Sequence, residues 1–114
     1  MEIKKERYQL TAQGTELKVK ADGMMKEDDL MSFLEDYGTI ISSMPRKEVV
    51  ELDFSSLSVV FQSLLDNMVD ILKMYQKDFK SISIIYQKSN ILLRNQIVRC
   101  AKQVNLNYTM TEVE

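Results

Sequence analysis

The sequence predicts an α/β domain in which a mixed sheet carries its helices mainly on one face. The predicted order of elements is β-β-α-β-α-β-α-β, because segments that alternate with a period of two are interleaved with segments of helical period. Several strand segments keep a polar face, whereas a parallel sheet covered on both faces has uniformly apolar strands. The length of 114 residues is that of one ordinary domain, so we expect a single domain spanning residues 1–114.

The first two strands are expected to form an antiparallel hairpin. Residues 7–12 and residues 15–21 each alternate between apolar and polar side chains. Gln13 and Gly14 separate them, and such a pair is typical of a turn. The dipeptide at 22–23, Asp-Gly, ends the hairpin.

A first helix follows, because apolar residues recur at helical spacing over four turns. Acidic residues at 27–29 mark its start, where negative charge suits the helix dipole, and Pro45 lies just beyond its end. The apolar stripe comprises Leu30, Phe33, Leu34, Tyr37, Ile40, Ile41 and Met44.

The centre of the chain reads as a strand, a serine-rich loop and a long amphipathic helix. Val50, Leu52 and Phe54 alternate with polar neighbours and predict a strand from Val49 to Phe54. The loop is expected at residues 55–63. Ser63 then begins a capping-box sequence, Ser-Leu-Leu-Asp, and is expected to cap the helix. The stripe of that helix comprises Leu64, Leu65, Met68, Val69, Leu72 and Tyr75.

The last three elements are a strand, a helix and a strand. Residues 81–87 form an apolar strand, Ser89 and Asn90 open the third helix, and residues 107–113 form the final strand. The polar faces of the strands favour all three helices on one face of the sheet, with the strands in sequential order. Lys18 and its neighbours would then pair with acidic residues of the central strand.

Composition disfavours enzyme chemistry. The chain contains no histidine, which removes the commonest general base and the usual metal ligand. Glycine-rich phosphate loops are absent, so we expect no catalytic residues, no metal and no cofactor. Cys100 is the single cysteine and lies among apolar residues, so we expect a small buried side chain in a reducing cytoplasm.

Charge and hydropathy also limit the partners. The net charge of −2, with both signs spread along the chain, argues against nucleic acid as the main partner. No apolar run approaches the roughly 20 residues needed to cross a bilayer, and the first ten residues lack the apolar region of a secretory signal. We therefore expect a cytoplasmic protein without a membrane partner.

The central stretch VVELDFSSLSVV, residues 49–60, runs into an apolar helix and resembles the STAS domain of anti-sigma-factor antagonists. The resemblance covers nearly the whole chain, from the first hairpin through the final strand. In that family the loop after the equivalent strand carries an Asp-Ser-Ser-Gly-like motif whose serine is phosphorylated. The motif aligns with residues 61–64, where Ser63 is retained and the acidic residue, the first serine and the glycine are replaced.

This resemblance implies a bacterial regulatory module that works by partner switching, docking on a protein such as an anti-sigma factor or a kinase-like switch protein. Ser63 is then the candidate phosphorylation site, although a helix cap is the plainer role for a serine here. The candidate partner-binding residues are Ser55, Ser56, Ser58, Phe61, Gln62, Ser63 and Asp66.

Two other functions remain open on the sequence. The first alternative is a domain that binds a small ligand or an anion at the helix N-termini beside the loop, near Gln62, Ser63 and Ser89. The second is a small enzyme with Asp53 as a carboxylate base, for which the sequence offers no second catalytic group.

Overall fold

The structure is a computed structural model that describes residues 1–60 and 62–114. Within these residues, six strands form one mixed sheet: β1 Glu2–Lys4, β2 Tyr8–Gln13, β3 Glu16–Gly23, β4 Val49–Leu57, β5 Ser81–Gln87 and β6 Thr109–Val113. The helices of the same residues are α1 Glu27–Ser42, α2 Leu65–Asp78 and α3 Ile91–Gln103, and a 3₁₀ turn at Gln62–Leu64 precedes α2.

The strand order in the sheet follows the order in the chain. β1 and β3 each pair antiparallel with β2, and the four strands from β3 to β6 run parallel to one another. The predicted α/β fold and its sequential strand order are therefore confirmed. The sequence prediction missed β1, because its three residues are too few to show an alternation, so the sheet has six strands, one more than the predicted order of elements contains.

The helices pack on one face of the sheet, and the opposite face is open. Side chains of β3 and β4 that point toward the helices, such as Leu17 and Leu52, are completely buried. Their neighbours on the other face are exposed or half-buried, as Lys18 and Glu51 are. The burial of the apolar face against α1, α2 and α3 supplies the main driving force for folding.

A charged ladder on the open face places lysines of β3 beside acidic residues of β4, as the sequence predicts. Lys18 lies beside Glu51, and Lys20 lies beside Asp53. Among the described residues, however, no ion pair joins these side chains. The ladder is therefore a hydrated surface of mixed charge rather than a set of salt bridges. Salt bridges at exposed positions add little to the free energy of unfolding in any case.

Two tyrosine hydroxyls tie α1 to its neighbours. Tyr8 of β2 donates a hydrogen bond to Asp36 Oδ2 at 2.6 Å and lies 2.6 Å from Ser32 Oγ, so it joins the sheet to α1. Tyr37 donates to Asp78 Oδ2 at 2.9 Å, which joins α1 to the end of α2. Burial, together with the hydrogen bond to Asp36, raises the pKa of Tyr8 to about 12.

The central strand is longer than the sequence suggests. β4 ends at Leu57, three residues beyond the predicted end at Phe54. Between Lys20 and Asp22 of β3 the register shifts, because β4 carries one extra residue opposite that segment. This bulge reverses the alternation, so Leu57 faces the core and is 6% exposed.

Candidate functional site

The serine-rich loop lies at the carboxyl edge of the parallel strands, where all three helices begin. It follows β4 and lies between the loops that leave β3 and β5. The Ser58 amide donates to the Gly23 carbonyl at 2.7 Å, which fastens the end of β4 to the end of β3. In open α/β sheets, ligands bind outside the carboxyl ends of the strands.

The structure brings most of the predicted partner-binding residues to this edge, but in different environments. Ser56 and Ser55 belong to β4 rather than to the loop, and Ser55 is half-buried. Phe61 lies outside the described residues. The exposed members are Ser56, Ser58, Gln62, Ser63 and Asp66.

Ser55 is engaged by Asp53 within the bulge. The Asp53 carboxylate oxygen Oδ1 accepts from the Ser55 amide at 3.0 Å and from its hydroxyl at 2.6 Å. This local bond stabilises the irregular backbone of β4, as short polar side chains commonly do. Asp53 therefore has a structural partner, and its side chain lies on the open face of the sheet, near Lys20 and Gln9.

The expectation that Ser63 caps α2 is wrong. Ser63 lies inside the 3₁₀ turn, and the residue at the cap position is Leu64, which offers no side-chain hydrogen bond. The turn runs directly into α2, so the start of the helix moves beyond the position that the capping-box pattern indicates. The Ser63 side chain is thus exposed, and its hydroxyl does not cap α2.

Asn90 fastens the loop to the start of α3. Its side-chain oxygen accepts from the Leu93 amide at 3.2 Å, so Asn90 caps the helix that the sequence expects Ser89 and Asn90 to open. Its side-chain amide also donates to the carbonyls of Leu57 at 3.1 Å and of Ser58. One side chain therefore caps α3 and holds the end of β4 at the same time.

Gln96 fixes the next part of the loop. The Val60 amide donates to Gln96 Oε1 at 2.9 Å, and Gln96 Nε2 donates to the Val60 carbonyl at 2.9 Å. A primary amide carries both a donor and an acceptor, so it matches the backbone of one residue in both directions. We call Asn90 and Gln96 the α3 clamp, because together they position residues 57–60.

Two large apolar side chains lie exposed beside the clamp. Ile91 is 65% exposed and Leu92 is 62% exposed, and both belong to the first turn of α3. The sequence reasoning missed them, although a signal was present. The buried stripe of α3 begins at Leu93 and continues through Ile97, so residues 91 and 92 fall outside it.

A cavity of about 90 Å³, about half open to solvent, lies beneath the loop, between α1, α2 and the sheet. Its walls are aliphatic side chains and aromatic rings from each of these elements. They include Ala21, Leu57, Val60, Leu64, Leu72 and Tyr75. The cavity therefore suits apolar groups rather than the anion that helix N-termini would favour.

The other chemistry-bearing groups are structural. Cys100 is 2% exposed, and burial raises the pKa of its thiol, which disfavours the reactive thiolate. No group of three or more acidic or cysteine side chains among residues 1–60 and 62–114 is placed to hold a metal ion. Over the same residues, no helix is both long enough and apolar enough to span a bilayer.

Comparison with known proteins returns no matching family model and no matching curated sequence.

Proposed function

We propose that this protein is a non-catalytic docking module whose contact surface is the carboxyl edge of its parallel strands. The observation that carries the proposal is the exposed pair Ile91 and Leu92 beside a polar loop that the α3 clamp holds in place. Large apolar side chains next to one another at the surface are typical of contact sites, and polar residues commonly form the rim of such a site.

The docking surface is defined by the exposed residues of this edge: Ser56, Ser58, Gln62, Ser63, Asp66, Ile91 and Leu92. A fixed backbone lowers the entropy lost when a partner binds, so the two hydrogen-bonded contacts of Gln96 favour recognition by a preformed surface. The side chains at the rim supply donors and acceptors for a partner's backbone.

The resemblance to STAS domains supports a more specific role in a bacterial cytoplasm. The partner would be an anti-sigma factor or a kinase-like switch protein, and binding would change with phosphorylation. Ser63 is exposed and precedes α2 by two residues. Phosphate at that position would meet the favourable end of the helix dipole and add about two negative charges to the docking surface.

The docking surface is tested with a matched pair of substitutions. Ile91 and Met31 are both 65% exposed and both lie on helices, but Met31 belongs to α1 and lies outside the docking surface. The partner is recovered by affinity capture from the source cell, purified, and titrated against each variant by calorimetry. We expect Ile91→Ser to weaken binding by about tenfold or more, as for a central interface residue. Met31→Ser should bind as the parent does.

Thermal unfolding is the control for both variants, since surface substitutions usually change stability by no more than about 0.5 kcal/mol. Equal binding by the parent, Ile91→Ser and an Ile91→Ser/Leu92→Ser double variant would show that the surface lies elsewhere.

The switch is tested separately with Ser63→Asp and Ser63→Ala. Neither should shift the melting temperature much, because Ser63 is exposed and caps no helix. If phosphorylation controls docking, Ser63→Asp should change the partner's Kd while Ser63→Ala leaves it close to the parent value. Identical Kd values for the parent and both variants would refute the phosphorylation switch. They would not contradict the proposed docking surface.

A further inference from the structure

One flank of α1 carries apolar side chains that are exposed rather than packed in the core. Met31 is 65% exposed and Leu34 is 40% exposed. Further along the helix, Gly38 is exposed and Ile41 is half-buried. These four residues are spaced by three or four positions, so they form one continuous line on the helix surface. We call them the α1 stripe. Exposed apolar side chains that adjoin one another are typical of contact sites.

Nothing in the described chain requires residue 38 to be glycine. Gly14 and Gly23 take positive φ, whereas Gly38 lies inside α1 with helical backbone. A Cβ at residue 38 would meet no described atom within 4 Å, apart from its chain neighbours and the adjoining helix backbone. Glycine is the poorest helix former apart from proline. Its bare backbone lets another helix approach closely, so a contact from outside the chain accounts for it.

We propose that the α1 stripe binds the α1 stripe of a second copy of this chain, with the two helices antiparallel. Residues 31 and 34 are three positions apart, and so are residues 38 and 41. One register therefore places Leu34 of each copy opposite Gly38 of the other. The same register places Met31 opposite Ile41. Leu34 occupies the space that a side chain would take at residue 38, and two-fold symmetry forms this contact twice.

The charges at the two ends of α1 favour a second copy in this orientation. Residues 26–29, at the start of the helix, carry a net charge of −2, and residues 46–47, just beyond its end, carry +2. Antiparallel copies bring the acidic start of one helix to the basic end of the other, whereas parallel copies bring like charges together. Arg46 bonds to Glu48 at 3.1 Å, but its side chain is 72% exposed and can still face the second copy.

This dimer leaves the docking surface uncovered. α1 begins at the carboxyl edge of the parallel strands, so antiparallel copies of α1 direct the two docking surfaces to opposite ends of the dimer. One contact between two helices buries little area, and interfaces below about 1,200 Å² are typical of weak complexes. We therefore expect a dimer Kd between about 1 μM and 1 mM.

Sedimentation equilibrium of the full chain measures this Kd. The average mass should rise from 13.3 kDa toward twice that value as the loading concentration is raised across the expected range. A mass that stays at the monomer value throughout would overturn the proposal.

Gly38→Gln and Thr39→Gln are the matched variants, because both positions are exposed on α1 and only residue 38 lies in the stripe. Gly38→Gln should raise the dimer Kd at least tenfold. It should also raise the urea midpoint measured below that Kd, since glutamine is a better helix former than glycine. A misfolded variant would lose both. Thr39→Gln should dimerise like the parent, and equal dimerisation by Gly38→Gln would overturn the proposal.

Charge reversal tests whether the occupant is a second, antiparallel copy. Glu27→Arg and Arg46→Glu should each weaken dimerisation about two- to fivefold, as for an exposed ion pair. The variant with both changes should dimerise like the parent, because each reversed charge then faces the reversed charge of the other copy. A double variant that dimerises no better than the single variants would overturn the antiparallel arrangement.

Dimerisation and partner docking can fail independently. Met31→Ser should weaken the dimer and leave partner docking unchanged at concentrations below the dimer Kd. Ile91→Ser should do the reverse, because residue 91 belongs to α3 and lies outside the α1 stripe.

Discussion

Removal of the two hydrogen bonds between Gln96 and the loop should lower the free energy of unfolding by an amount that can be calculated and measured. Gln96→Met keeps the length of the side chain and has similar helix propensity, but it removes both hydrogen bonds to Val60. Each bond contributes about 0.5–1.5 kcal/mol net, so the expected loss in the free energy of unfolding is about 1–3 kcal/mol. Val60 is half-buried, and water replaces part of what is lost.

Urea unfolding measures this loss, with Gln103→Met as the control. Gln103 is the last residue of α3 and is exposed, so the same replacement there should change stability by no more than about 0.5 kcal/mol. Hydrogen exchange reports the local effect, since the Val60 amide should exchange faster in Gln96→Met. A loss no larger than that of the control, with unchanged Val60 exchange, would refute the idea that α3 fixes the loop.

The remaining predictions concern the core, the cap and a buried tyrosine. Leu72→Ala should lower the free energy of unfolding in urea by about 2–5 kcal/mol, because Leu72 is 1% exposed, whereas Leu92→Ala at an exposed site should change it by about 0.5 kcal/mol or less. Asn90→Asp keeps the cap acceptor but loses the donors to Leu57, so chemical denaturation should show a loss of about 1–3 kcal/mol. The raised pKa of Tyr8 means that the folded state holds the phenol proton more tightly than the unfolded chain. Stability should be full below about pH 10 and fall as the pH rises toward about 12, and Tyr8→Phe should reduce that fall in urea unfolding at several pH values.

The parts of the fold that could be predicted are those that local alternation determines. The polar residues of β3 and β4 predicted that one face of the sheet is open, because Lys18 and Glu51 are costly to bury. The end of β4 could not be found in this way. The extra residue of the bulge reverses the period of two, so Ser55 and Ser56 read as loop although both belong to β4 and Ser56 pairs with Asp22 of β3.

The site was harder to predict than the fold, because its organisation depends on contacts between distant segments. Asn90 was identified as the start of α3 from its local sequence, but its bonds to Leu57 and Ser58 span more than thirty residues. Nothing near Gln96 signals its pairing with Val60. The sequence prediction selected the serines because they are polar. In the structure, the exposed apolar residues beside them indicate a contact surface more clearly.

The sequential strand order also determines when the loop takes its final form during synthesis. Each parallel strand adds to the outer edge of its predecessor, so no strand has to insert between two that are already paired. The loop after β4 leaves the ribosome well before α3 and its cap residue, which together supply both residues of the clamp. A nascent chain that ends before residue 96 therefore has the central strands but lacks the bonds that hold Val60. We expect the docking surface to become competent only after α3 has been made and has packed against the sheet.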